Sequence, residues 1–173
     1  ADITLINLGL EGAGTGSGLH IQGNIRRIRA YGCKIEGGTS NLLLESTAAG
    51  AISEARFDDC EFAWGTNAVR IAVSGAGDPV TQTFIRKCHL HNYSGRGVFV
   101  DTVHTADLCL LGNHFARQEN GDEPANQYVL ADVASTTGVI QGNYFPAAEA
   151  TTKIVLATGV RRSGNWFTDG GDV

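Results

Sequence analysis

One short phrase recurs along the chain. It reads YGCKI at 31–35, DDCEF at 58–62, RKCHL at 86–90, LGNHF at 111–115, QGNYF at 141–145 and SGNWF at 163–167. Its central residues, Cys33, Cys60, Cys88, Asn113, Asn143 and Asn165, are spaced by 27, 28, 25, 30 and 22 residues. A degenerate copy, ITLINLGL, opens the chain with Leu8 at the same position, 25 residues before Cys33. A period of this length means stacked like units, because one unit cannot bury its own apolar face.

The residues around each anchor say what the unit is. Five and three residues before it stand Ile3/Leu5, Ile28/Ala30, Ala55/Phe57, Thr83/Ile85, Leu108/Leu110, Gly138/Ile140 and Val160/Arg162. Two residues after it stand Leu10, Ile35, Phe62, Leu90, Phe115, Phe145 and Phe167. Apolar residues two apart mark strands with one buried face. The step from minus three to zero to plus two breaks that alternation, as a bend would. A further strand follows, with inward pairs Leu19/Ile21, Leu42/Leu44, Val69/Ile71, Val98/Val100, Tyr128/Leu130 and Ile154/Leu156. No stretch has the three-and-four spacing of a helical repeat. The pattern predicts an all-β parallel solenoid of about seven coils, with rungs roughly 4.8 Å apart. The twist preference of crossovers, together with the resemblance described below, points to a right-handed turn.

In such a column the anchors stack. Asn113, Asn143 and Asn165 are expected to hydrogen-bond along the column and to the bend backbone. Cys33, Cys60 and Cys88 fit the same volume as small buried hydrophobes. There is no CxxC pair, so no zinc site is read, and three thiols in one line point to free structural cysteines. No cofactor or metal is called for.

Composition narrows the partners. The net charge is −5 and basic residues form no stripe, against nucleic-acid binding. No run of 18 apolar residues occurs, so no membrane insertion is expected. Residues 1–173 read as one domain, and the absence of any methionine leads us to expect a piece of a larger chain.

The phrases LGNHF, QGNYF and SGNWF, one per coil, resemble right-handed parallel β-helix proteins of the pectin-lyase-like class. Within it the chain is most similar to bacteriophage tailspike and capsule-depolymerase β-helices. The resemblance implies a homotrimer on the virion tail, folded in the host cytoplasm, that recognises bacterial surface polysaccharide and in many cases cleaves it. Two other readings stay open: a non-enzymatic shaft or adhesin, and a free-standing, secreted polysaccharide lyase or hydrolase. The polygalacturonase motifs are incomplete. Asp58–Asp59 is present, but there is no Gly-His-Gly and no Arg-Ile-Lys.

Glycosidases use two carboxylates flanking the scissile bond. The densest acidic phrase, FDDCEFAW, offers Asp58, Asp59 and Glu61 as catalytic candidates and Trp64 as a sugar platform. Stacking gives the same residues another role. Asp58 falls beside Arg86, Asp59 beside Lys87, and Glu61 between Lys34 and His89, as complementary cross-rung pairs. The position after the anchor forms an outward row ending in His89, His114, Tyr144 and Trp166. That row suits either sugar stacking or a subunit interface. His91 is expected to be outward and solvated or paired. The acidic stretch at 116–127, with Glu119, Asp122 and Glu123, is the longest insertion between strands and a second place to look for binding.

Overall fold

The computed structural model describes residues 1–48, 50–74, 79–101, 105–116, 119, 127–146 and 153–168. Most of the insertion at 116–127, including Asp122 and Glu123, lies outside them; Glu119 is described and exposed. The strands form three sheets of seven, seven and six, and every strand pairing in them is parallel. Each coil contributes one strand to each sheet in turn, so the chain is a parallel β-solenoid. The first sheet runs from Asp2–Ile6 to Gly159–Ser163 and the third from Ser17–Gln22 to Ile154–Leu156. The second, of short strands, holds Gly9–Gly12, Lys34–Gly37, Glu61–Ala63, His89–His91, His114–Phe115, Tyr144–Phe145 and Trp166–Phe167. About seven coils were expected; the solenoid has about five turns, the strands of the first and last copies being the outermost rungs of the described residues, and no third-sheet strand of the last copy is among them.

The inward rows are those the alternation predicts, with one slip. In the first sheet Ile28, Ala55, Thr83, Leu108, Gly138 and Val160 stack in register, as do Ala30, Phe57, Ile85, Leu110 and Ile140. In the second, Phe115, Phe145 and Phe167 stack face to face at 4.6 and 5.4 Å. In the fifth coil the third-sheet row runs through Val129 and Ala131, not Tyr128 and Leu130. A one-residue shift exchanges the faces of a strand. Here it sends Leu130 outward beside Phe99, while the Tyr128 ring fills the corner edge-on against Tyr93, Phe115 and Phe145.

The anchors form one continuous ladder. Asn113 Nδ2 donates to Asn143 Oδ1 (2.9 Å) and to the Ile85 carbonyl (2.9 Å). Asn143 Nδ2 donates to Asn165 Oδ1 (3.0 Å) and to the Leu110 carbonyl (2.9 Å). The Asn113 and Asn143 backbone N–H groups donate to the same oxygens of the next coil (2.9 and 3.1 Å). The cysteines imitate this pattern with sulfur. Cys88 Sγ accepts from the Cys60 N–H (3.4 Å) and points its thiol at the Phe57 carbonyl (3.5 Å), the place equivalent to Ile85 and Leu110. The Cys88 N–H donates to Asn113 Oδ1 (3.0 Å), which joins the two halves. All four cysteines are free thiols.

The residue before each of the seven anchors turns the corner in the left-handed backbone region. The φ angles are 52° at Asn7, 58° at Gly32, 53° at Asp59, 54° at Lys87, 64° at Gly112, 65° at Gly142 and 58° at Gly164. A Cβ at Gly112 or Gly164 would meet open space, so glycine is needed there for its backbone alone. An L-residue in this region costs about 1–2 kcal/mol, less for Asn or Asp. Glycine's greater freedom in the unfolded chain offsets about 0.5–1 kcal/mol of that.

Equivalence of the two anchor types is testable by urea unfolding. Cys88→Asn supplies an oxygen for the Cys60 N–H and a donor for the Phe57 carbonyl, so stability stays at or above wild type. Asn113→Ala leaves the Cys88 N–H without its acceptor and a gap in the core, for a loss of about 2–3 kcal/mol. Equal damage from both substitutions would show that sulfur and amide do not occupy one ladder.

Candidate functional site

The second sheet decides what the surface offers, because its strands are two to four residues long and every coil presents the same outward position. That position carries Lys34, Glu61, His89, His114, Tyr144 and Trp166 in register. The His89 and His114 rings stack at 4.8 Å and 17°, and His114 meets Tyr144 at 4.8 Å and 39°. His91, two residues along the strand, stacks on His89 at 4.4 Å and 22°. Trp166 ends the row 70% exposed. The sequence-predicted row is therefore in register throughout, with ring contacts running from His91 to His89, His114 and Tyr144 and Trp166 following in register.

The acidic phrase is divided among different surroundings. Asp58 is buried on the outer face of the first sheet, where Arg86 Nε and Nη2 donate to its two oxygens at 2.5 and 2.8 Å. That bidentate pair is the expected cross-rung partner, and it engages both carboxylate oxygens. Its hydrogen bond, and then its charge, raise the Arg86 pKa above the ordinary value. Glu61 lies between Lys34 and His89 as register required, with Lys34 Nζ at 3.7 Å. Its hydrogen bond, however, goes to His91 Nε2 at 3.0 Å rather than to His89. The expected Asp59–Lys87 pair does not form: among the described residues neither side chain has a hydrogen bond or ion pair, and both are exposed. Longer strands would have aimed these neighbours in parallel; the left-handed corner turns both away from the sheet. Trp64 is 53% exposed, at the far end of the same short strand. It has φ 63°, where the coils on either side place Gly37 and Asn92 at 76° and 54°.

Two shallow grooves meet at the corner between the first and second sheets. One, of ≈ 370 Å³, lies among Lys34, Asp59, Glu61, Lys87 and His89. The other, of ≈ 560 Å³, lies among Tyr31, Asp58, Asp59, Arg86, Lys87 and Leu111. Asp59 and Lys87 line both. The structure thus brings Asp59, Glu61 and His89 to one groove and leaves Trp64 outside it. Among the described residues no set of three His, Cys, Asp or Glu side chains converges on a point a metal could occupy. Lys87 and Tyr31 are absent from the sequence-derived list. The signal for Lys87 was in the repeat itself: the residue before the anchor is Gly in four of seven copies and Lys in one.

Partial burial and the neighbouring imidazole of His91 hold His89 and His114 below the ordinary 6.5, and His114 also faces His89 directly. The neutral rings are thereby favoured in the folded state. Between the depressed values and 6.5 the unfolded chain binds more protons, so stability falls as pH drops through that window.

No protein-family model matches the chain, and neither a curated protein nor a solved structure matches it.

Histidine ring-proton NMR against pH tests the coupling. His89 and His114 should both titrate below 6.5, and His91→Ala should move both upward, since the repulsion and part of the burial go with that ring. Unchanged values in His91→Ala would mean that the stack is not present in solution.

Proposed function

We propose that the protein binds a bacterial surface polysaccharide laid across its coils on the outer face of the second sheet. The ring ladder His89–His114–Tyr144–Trp166 carries this reading. One ring per rung over about 14 Å gives a repeating, partly exposed platform suited to a repeating ligand. Aromatic and imidazole faces offer apolar area together with a polar edge, which matches a sugar's C–H face and its hydroxyls. The formal net charge and the lack of a basic stripe fit a glycan better than a nucleic acid. The resemblance of the coil phrases to tailspike β-helices supports the same reading, with the chain acting as the glycan-reading segment of a trimeric spike.

Cleavage is a second reading, favoured by one observation. Asp59 and Glu61 share a groove, one in no hydrogen bond or ion pair among the described residues and the other hydrogen-bonded to an imidazole. General acid–base chemistry needs two such groups in different surroundings.

An array of capsule and lipopolysaccharide fragments distinguishes these. Binding that falls at least tenfold in Trp166→Ala and Tyr144→Ala supports the platform. Reducing ends released by wild type and lost in Asp59→Asn or Glu61→Gln support cleavage. Retention of no fragment by wild type overturns the glycan reading. Light scattering at about three times the 18.2 kDa chain would support the trimer, and a monomer would remove it.

A further inference from the structure

The corner column carries two residues that its geometry does not ask for. Asp59 and Lys87 adopt φ 53° and 54° in consecutive coils, where four other coils use glycine and the first uses asparagine. Asp and Asn ease this conformation by local hydrogen bonding; lysine has no such recourse. The strain therefore falls on Lys87. Neither side chain has a hydrogen bond or ion pair among the described residues, although the two are neighbours across adjacent rungs. One residue earlier, Asp58 and Arg86 close on each other. The strain at Lys87 and two opposite charges in no mutual ion pair therefore coincide at the junction of the two grooves, with Asp59 acting on Arg86 through its field alone. Backbone strain held at such a spot points to a role outside the fold.

We propose that Asp59 and Lys87 form a hydroxyl-binding subsite for a neutral sugar residue, at the corner where the ring ladder begins. A carboxylate only accepts hydrogen bonds and an ammonium only donates them. A hydroxyl does both, so one vicinal pair can donate to Asp59 and accept from Lys87. Net charge favours no ion: in the larger groove Asp58 and Asp59 balance Arg86 and Lys87. Tyr31 and Leu111, both half-buried, give that groove an apolar wall for a ring's C–H face. His89 lines the smaller groove and is also the ladder ring beside Glu61. A saccharide on the ladder therefore reaches the corner without a break. This subsite rests on the glycan-binding reading and adds to it the class of sugar and a stability cost.

The strain makes the test two-sided. On an array holding neutral, acidic and amino-sugar fragments of bacterial surface polysaccharide, wild type should retain neutral fragments. Lys87→Gly should melt about 2 °C higher yet lose roughly tenfold or more in affinity, since hydrogen bonds to charged groups carry such differences. Lys87→Asn, whose side chain tolerates the left-handed region, should show the same split. Trp166→Ala should lose affinity with no gain in melting temperature. A stabilised Lys87→Gly that binds as well as wild type, beside a weakened Trp166→Ala, overturns the subsite and leaves the ladder standing. No rise in melting temperature for either Lys87 variant overturns the strain argument. Retention of acidic fragments alone overturns the sugar class. Retention of no fragment by wild type removes the glycan reading and this subsite with it.

Discussion

The inward ladder of anchors is the interaction on which the rest of the column depends. At each corner the backbone leaves one sheet before joining the next, and the N–H of the anchor has no strand partner. The anchor side chain of the following coil accepts it, by oxygen at Cys88, Asn113 and Asn143 and by sulfur at Cys60. Buried donors without partners cost about 1–3 kcal/mol each, so a chain repeating this corner must repeat its solution. The ladder also sets register. Once the anchors stack, the next residue in every coil is outward at one height, and the residue after it is inward. The ring ladder on the surface is thus a consequence of the amide and thiol ladder inside.

The same corner explains how much could be read from the sequence. The inward rows follow from period two, and the anchor's role from its recurrence; both needed only the spacing. The Tyr128–Leu130 slip was not legible, because Tyr128 is buried at a turn rather than in a strand row and both registers place large apolar residues inside. Side-chain pairing across rungs was half legible. Proximity was right for Asp58–Arg86 and for Lys34–Glu61, where the backbone is extended. It failed for Asp59–Lys87, because adjacency along the column does not tell where a left-handed corner aims its side chain. The competition between His89 and His91 for Glu61 depends on ring placement, which spacing does not encode.

Departures from the local rules cluster. Among the described residues seven non-glycine residues have positive φ, and five of them, Asp59, Trp64, Gln82, Lys87 and Asn92, belong to the third and fourth coils. These coils also hold Glu61, His89 and His91, and both corner grooves touch them. Elsewhere the corner residue is glycine or, at Asn7, asparagine. A repeat protein can vary one coil cheaply, because each coil contacts only its neighbours. Two adjacent coils that both accept left-handed side chains are where the sequence departs most from the rules of stacking.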